Sequence, residues 1–257
     1  MRVVRLEIEY DGRGFSGWAA QPDRRTCEGV LAGGLEVILR TPVELHVAGR
    51  TDAGVHASGQ VATFLIGADF DLRRLVKGLA GVLPPDIAVR DAAFAPPDFD
   101  ARASAIGRSY EYRVLVGARS PLRRARVLHH PQPLDLTAMN AAAAACLGRH
   151  DFTAFTPART EHVFFDRTVR RCEWEARGDE TVFRIEADAF LRNMVRILVG
   201  TMLEVGRGSR PAEQMTELVA GAPRGAAGRT APAHPLTLVA VRYPEPVGGA
   251  PILGAAE

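Results

Sequence analysis

The chain is poor in the residues that several function classes require. Three cysteines, Cys27, Cys146 and Cys172, stand in 257 residues. Their odd number and wide spacing fit neither a disulfide framework nor a C-x-x-C metal site. The histidines at 46, 56, 129, 130, 150, 162 and 234 form no H-E-x-x-H run and no close carboxylate–histidine group, so no dedicated metal site is expected. No stretch approaches the roughly 18 uninterrupted apolar residues of a membrane span. The opening MRVVRLEIEY alternates charged with apolar residues, unlike a signal peptide or a lipid anchor. A soluble cytoplasmic protein is the expectation. Hydrophobic residues make up 47% and charged residues 24%, enough to bury a core and too apolar for a disordered chain.

Lysine is the scarcest cation. Lys77 is the only one among 32 basic residues, which leaves 31 arginines, and the net charge of +2 conceals their clustering. Between Arg102 and His130 lie Arg102, Arg108, Arg113, Arg119, Arg123, Arg124 and Arg126 against one acid, Glu111. A second group, Arg192, Arg196, Arg207 and Arg210, faces only Glu204. Guanidinium forks pair with phosphates and stack on bases, so such surfaces suit nucleic acid.

Periodicity divides the chain into two similar halves. Val4, Leu6, Ile8 and Tyr10 alternate with Arg5, Glu7 and Glu9, the pattern of a strand buried on one face. Thr26 opens a helix with Val30, Leu31, Leu35 and Ile38 inward; strands follow near 43–48 and 59–66. Asp71 caps a helix with Leu72, Leu75, Val76 and Leu79 inward, and 87–94 reads as a strand. The second half repeats the order. Tyr110, Tyr112, Val114 and Val116 mark a strand, and Asp135 caps an Ala-rich helix ending at Gly148. Strands follow near 168–175 and 181–190, then a helix from Leu191 to Leu203 with i, i+3, i+4, i+7 spacing, and a last strand over 236–243. Two βαββαβ units predict an α+β protein of two tandem ferredoxin-like halves, with antiparallel sheets and a central cleft. The expected division is residues 1–103, residues 104–244 and a flexible tail over 245–257. The segment 221–233, rich in Gly, Ala and Pro, reads as a mobile loop.

Two motifs compete for the chemistry. Gly12-Arg-Gly14-Phe-Ser-Gly17 satisfies G-x-G-x-x-G after a strand. That strand carries charge on one face, whereas a dinucleotide-binding first strand is apolar on both, and no helix begins within the glycines. A flexible turn that lets the backbone approach something closely is the better reading. Gly49-Arg50-Thr51-Asp52-Ala53-Gly54-Val55-His56 is the densest polar stretch between two strands. Thr-Asp-Ala-Gly is an ordinary turn sequence, with Asp and Gly in their usual turn roles. Arg50 two residues away, and the position between strands of one sheet, point to more. An ionised carboxylate there serves as nucleophile, base or electrostatic partner.

Residues 49–64, GRTDAGVHASGQVATF, resemble the signature of the TruA-type tRNA pseudouridine synthases. The likeness continues through Tyr10-Asp-Gly, Gly17-Trp18, Phe99-Asp-Ala-Arg102, Arg108-Ser-Tyr-Glu-Tyr112, Gly148-Arg-His-Asp151-Phe152, Phe190-Leu-Arg-Asn-Met-Val-Arg196 and Ala231-Pro-Ala233. The resemblance implies a cofactor-free isomerase that converts uridine to pseudouridine at positions 38, 39 and 40 of the tRNA anticodon stem-loop, works as a homodimer and flips its target base. It places Asp52 on the catalytic aspartate and Arg50 on an arginine that displaces the target nucleotide. Tyr110 falls on the tyrosine at the bound base, and Arg196 on the partner of the aspartate. Arg102, Arg108, Arg123, Arg124, Arg126 and Arg192 are the expected contacts to the RNA backbone. The chain departs from the family pattern at Ala19, at Cys27-Glu28 and at Arg192, none of them among the four site residues.

Read from residue pattern alone, Tyr110 also fits a core strand face, and Arg196 a surface arginine flanking an apolar stripe. The main rival function is a non-catalytic RNA-binding protein with tandem RNA-recognition-like halves; a dinucleotide-dependent enzyme ranks behind it.

Overall fold

A computed structural model describes residues 1–67 and 70–244. The expected tail, 245–257, lies outside the described residues. In chain order the elements are β1 (Arg2–Tyr10), α1 (Cys27–Leu39), β2 (His46–Val47), β3 (His56–Ile66), α2 (Leu72–Val82), β4 (Ile87–Ala95), β5 (Gly107–Val116), β6 (Leu128–His130), α3 (Leu136–Ala144), β7 (Gly148–Asp151), β8 (Asp166–Arg177), β9 (Glu180–Ala187), α4 (Met194–Gly206), α5 (Gln214–Leu218) and β10 (Leu236–Arg242). The protein is a mixed α/β molecule, rich in sheet and with few helices. It has two compact units: residues 1–106 with the chain from Leu238 onward, and residues 107–237.

In the first unit the strands run in the order β4-β1-β3-β10, with β2 also paired to β3. Both β1 partners are antiparallel. Val4, Leu6, Ile8 and Tyr10 of β1 are buried as their alternation requires, while Arg5 and Glu7 form an ion pair at 2.8 Å on the other face. The helices start where their caps predict: the Thr26 hydroxyl accepts from the Gly29 N–H and the Asp71 carboxylate from the Arg73 N–H, satisfying amides that have no partner within the helix. Leu31 and Leu35 of α1 and Leu72, Leu75, Val76 and Leu79 of α2 are buried. Each such side chain stabilises the fold by about 1.5–3 kcal/mol through apolar burial. The two helices pack closely at glycines, since a Cβ on Gly34 would stand 2.8 Å from a Leu83 methyl.

In the second unit the order is β5-β9-β8-β7, antiparallel throughout, with β6 parallel to β5. Asp135 caps α3, as expected. The helix stops at Ala144 rather than at Gly148. Its last amides turn tightly onto Ala143 and Ala144, and Gly148, with φ +98°, starts β7 instead. Asn140 ties α3 to β8 by bonding both the N–H and the C=O of Trp174. The helix expected from Leu191 begins at Met194, because Asn193 sits in the left-handed region at φ 60° and no helix runs through it.

The segment 221–233 is not a loose loop. It forms a strap across one face of α4, at Arg196, Gly200, Thr201 and Glu204. The Ala231 N–H donates to the Arg196 carbonyl (3.0 Å), the Gly228 N–H to the Thr201 hydroxyl (2.9 Å), and the Arg229 N–H to a Glu204 carboxylate oxygen (3.4 Å). The approach at Gly200 is so close that a Cβ would lie 1.7 Å from the Arg229 carbonyl oxygen. Small residues in this segment serve proximity to a helix, not mobility.

Candidate active site

The Gly49–Val55 loop joins β2 to β3 and carries Asp52, half-buried between the buried Thr51 and Val55, with Arg50 exposed. The turn is closed by the Val55 N–H donating to the Asp52 carbonyl at 3.1 Å, with Gly54 at φ +81°. Its chemistry is the expected one, an aspartate opening a turn that a glycine completes.

The glycine-rich loop is packed against this turn. A Cβ on Gly12 would fall 2.0 Å from the Val55 carbonyl oxygen, and one on Gly17, already at φ +97°, 3.1 Å from the Thr51 carbonyl oxygen. The Trp18 N–H donates to that same Thr51 oxygen at 3.1 Å. Gly12 and Gly17 are therefore glycines because the backbone of one loop abuts the backbone of the other, and no dinucleotide fingerprint is involved. Beneath the turn the Tyr10 and Thr51 hydroxyls are 2.7 Å apart, and the Gln60 amide donates to the Tyr10 oxygen (3.3 Å) and to the Gly49 carbonyl (2.8 Å).

The far end of the turn is held by His56, fully buried at the start of β3. Its Nδ1 accepts from the Gly12 N–H at 3.2 Å and lies 3.3 Å from the Asp11 carboxylate. Asp11 is held down to a pKa of about 2, chiefly by the Arg13 guanidinium, which grips both carboxylate oxygens; partial burial opposes this and His56 adds to it. This carboxylate is neutralised by its own arginine and is a structural group beside the turn.

Tyr110 and Arg196 belong to the second unit. Tyr110 is buried on β5, its ring edge-to-face with Phe190 at 5.1 Å between centroids. Arg196, half-buried on α4, donates from Nε to the Ala231 carbonyl (2.8 Å) and from Nη1 to the Asn193 side-chain oxygen (3.1 Å). Strap and left-handed Asn193 thus both serve to aim this guanidinium. The Tyr112 hydroxyl, fully buried and with no hydrogen-bond partner, has its pKa pushed above the usual phenol range by burial, with Arg196 opposing.

The expected RNA-contacting arginines divide into two groups. Arg102, Arg124, Arg126 and Arg192 are exposed. Arg108 is buried and donates to the Asp188 carbonyl at 2.7 Å. Arg123 is clamped by Asp179 and by Glu180. Along the chain Glu111 was the sole acid near this arginine run, yet the β8–β9 hairpin brings more to it: Glu180 also faces Arg113, and Arg184 bridges Glu111 and Glu175. Among the described residues no three His, Cys, Asp or Glu side chains gather into a metal-binding group, and no helix is long and apolar enough to cross a membrane.

The sequence pattern gives Tyr10 and Gln60 no functional role, since alternation marks Tyr10 as core. The available signal is Gln60, an amide heading the mostly apolar stretch Val61–Ile66, where burial demands partners for both ends.

Residues 142–244 match a family model described as tRNA pseudouridine synthase. The tRNA pseudouridine synthase A of Myxococcus xanthus is 46% identical over 245 residues, covering 95% of this chain and 92% of that protein. That of Anoxybacillus flavithermus is 41% identical over 244 residues (95% and 99%), and that of Halalkalibacterium halodurans 42% identical over 238 (92% and 90%). This chain belongs to the tRNA pseudouridine synthase A family. It is an isomerase, and the rival reading as a non-catalytic RNA-binding protein falls. The identity spans both units, so the synthase has the Asp52 turn of the first and the Arg196 helix of the second within the aligned length.

Proposed function

We propose that the synthase converts uridine to pseudouridine at positions 38, 39 and 40 of the tRNA anticodon stem-loop, with Asp52 as the nucleophile or base and with no cofactor. The observation that carries this reading is the half-buried Asp52 carboxylate on a turn whose backbone is bonded at Gly49, Thr51 and Val55. A carboxylate carried on backbone so fixed has less freedom to lose in the reaction.

In the isomerisation the bond from N1 to C1′ breaks, the base turns within the pocket, and C5 bonds to C1′. C5 gives up its proton and N1 gains one, so no atom is lost and no electron donor is needed. Three opening steps employ an aspartate: attack on C6, attack on C1′, or removal of the 2′ proton to give a glycal. A uridine inside a stem is reached by flipping, at a cost of a few kcal/mol, and stacking on an aromatic ring returns about 1–3 kcal/mol. We assign the stacking role to Tyr110, displacement of the nucleotide to Arg50, and substrate binding to Arg196, whose two fixed bonds support a preset direction. Arg102, Arg124, Arg126 and Arg192 are the exposed contacts we assign to RNA phosphates, where they set register without reading sequence. Two ferredoxin-like halves are supported by the order β4-β1-β3-β2 in the first unit and by β5-β9-β8 in the second. A homodimer acting in the cytoplasm is part of the same reading.

The test is tritium release from C5 of labelled uridine, on transcripts whose only anticodon-stem uridine is at 38, 39 or 40. Release from all three, and none from transcripts lacking them, is expected. Release from uridines elsewhere would overturn the assignment.

A further inference from the structure

We propose that Tyr10 and Gln60 are positioning residues that set the register of the Asp52 turn through a buried hydrogen-bond relay. The inference rests on the reading of Asp52 as the reacting carboxylate. Gln60 is fully buried on β3, Tyr10 nearly so at the end of β1, and Thr51 is buried on the turn. These three polar groups lie in the interior of the first unit, within a cluster that includes Phe15 and Trp18 around the Tyr10 ring at 6.3 and 5.9 Å.

The amide orientation follows from its partners. The Gly49 carbonyl, 2.8 Å away, accepts only from Nε2, and the Val61 N–H, 3.1 Å away, donates only to Oε1. Nε2 therefore has its second hydrogen to give to the Tyr10 oxygen at 3.3 Å. The phenol oxygen, accepting on that side, shares a hydrogen bond with the Thr51 hydroxyl oxygen at 2.7 Å, in which either hydroxyl can donate. The chain of bonds links Gln60 through Tyr10 to Thr51, the residue before Asp52. With the second Gln60 bond on Gly49, the side chains of two strands grip the turn on both sides of Arg50. The Trp18 N–H on the Thr51 carbonyl fixes the remaining freedom of that peptide.

Stability alone does not ask for this arrangement. Buried polar groups are costly unless every one is bonded, and an apolar set of the same shape is often as stable or more so. A satisfied network instead selects a single geometry over near alternatives. The geometry selected here is the height and rotation of the peptide that precedes the carboxylate.

Tyr10→Phe keeps the ring and removes the relay, and Thr51→Val keeps the branched shape and removes the hydroxyl at its far end. Since a misplacement of about 1 Å in a reacting group costs up to ~100-fold, each is expected to lower kcat by about 10- to 100-fold. The tRNA dissociation constant should stay within about threefold, because neither group is a phosphate or base contact. The double variant should lose no more than about the worse single one, as both remove the same bond. Thr51→Ser should recover most of what Thr51→Val loses. A folded Tyr10→Phe enzyme with wild-type kcat overturns the proposal. So does a loss shared equally between kcat and tRNA affinity, or a double variant whose losses multiply. Should Tyr10→Phe fail to fold, the Thr51→Val and Thr51→Ser pair decides by the same readouts. Asp52→Asn run alongside separates the two readings: if it turns over normally both fail, and if it is inactive while Tyr10→Phe is fully active only the relay fails.

Discussion

Replacing Gly12 with alanine presses directly on the turn that carries Asp52. The new Cβ would stand 2.0 Å from the Val55 carbonyl oxygen and 2.5 Å from its carbon, both backbone atoms that no rotamer change can move aside. Reaching an ordinary van der Waals separation of about 3.4 Å requires the two loops to part by more than 1 Å, the scale on which catalysis falls about 100-fold. The same movement lengthens the Gly12 N–H bond to His56, a hydrogen bond of net value about 0.5–1.5 kcal/mol. It adds overpacking strain of about 1–3 kcal/mol. In a protein of this size each kcal/mol lowers Tm by roughly 2–4 °C, so thermal unfolding should show a fall on the order of 3–18 °C. Single-turnover pseudouridine formation should show the kinetic loss. The companion is Gly33→Ala, at an exposed position inside α1 where an added Cβ meets nothing within 4 Å. It should stabilise by about 0.5–1 kcal/mol through helix propensity. Equal Tm values for the two variants, or a Gly12→Ala enzyme with undiminished turnover, would refute the argument from close approach.

Gly200→Ala should detach the strap from α4, since its Cβ overlaps the Arg229 carbonyl; a large drop in Tm together with loss of the Arg196–Ala231 bond is expected, the latter visible as amide exchange at Ala231. Binding of tRNA should weaken steeply with salt, and removing exposed Arg124 or Arg126 should each lower the log–log slope by about one, as for a lost phosphate contact. Arg123, clamped by Asp179 and Glu180, should change it less. Asp11, whose folded pKa of about 2 lies below the unfolded carboxylate value near 4, contributes stability that is complete above about pH 4 and is lost as pH falls toward 2. An Asp11→Asn variant should therefore show a flatter stability profile across that window in acid-unfolding measurements. All three cysteines are buried; burial raises Cys27 to about 12, and Cys146 with burial raises Cys172. A thiol reagent should find none of them in the native protein and three after denaturation.

What was legible in the sequence was local. Thr26, Asp71 and Asp135 cap helices with hydrogen bonds spanning two or three residues, so neighbouring letters suffice to place them. The same holds for the Thr-Asp-Ala-Gly turn and for the charged face of β1, which argues against a dinucleotide-binding fold from the sequence alone. What was illegible came from distant residues. The strap over 221–233 looks like a linker because its Gly and Ala residues face a helix that the chain left behind at Arg196–Glu204. The arginine run looks opposed by Glu111 alone because Asp179 and Glu180 come from a hairpin some 50 residues further along, and the pairing of β5 with β9 sets them beside Arg113 and Arg123. Gln60 and Tyr10 read as strand and core, and only the fold shows that their polar ends meet each other and reach the turn at Gly49 and Thr51.

The most direct test of the account is single-turnover conversion of tRNA uridine by Asp52→Asn, measured alongside tRNA binding. A nearly isosteric amide leaves the turn's backbone bonds in place and removes the nucleophile or base. The account predicts a folded protein that binds tRNA about as well as the parent and forms no pseudouridine; conversion at a rate near the parent's would contradict it.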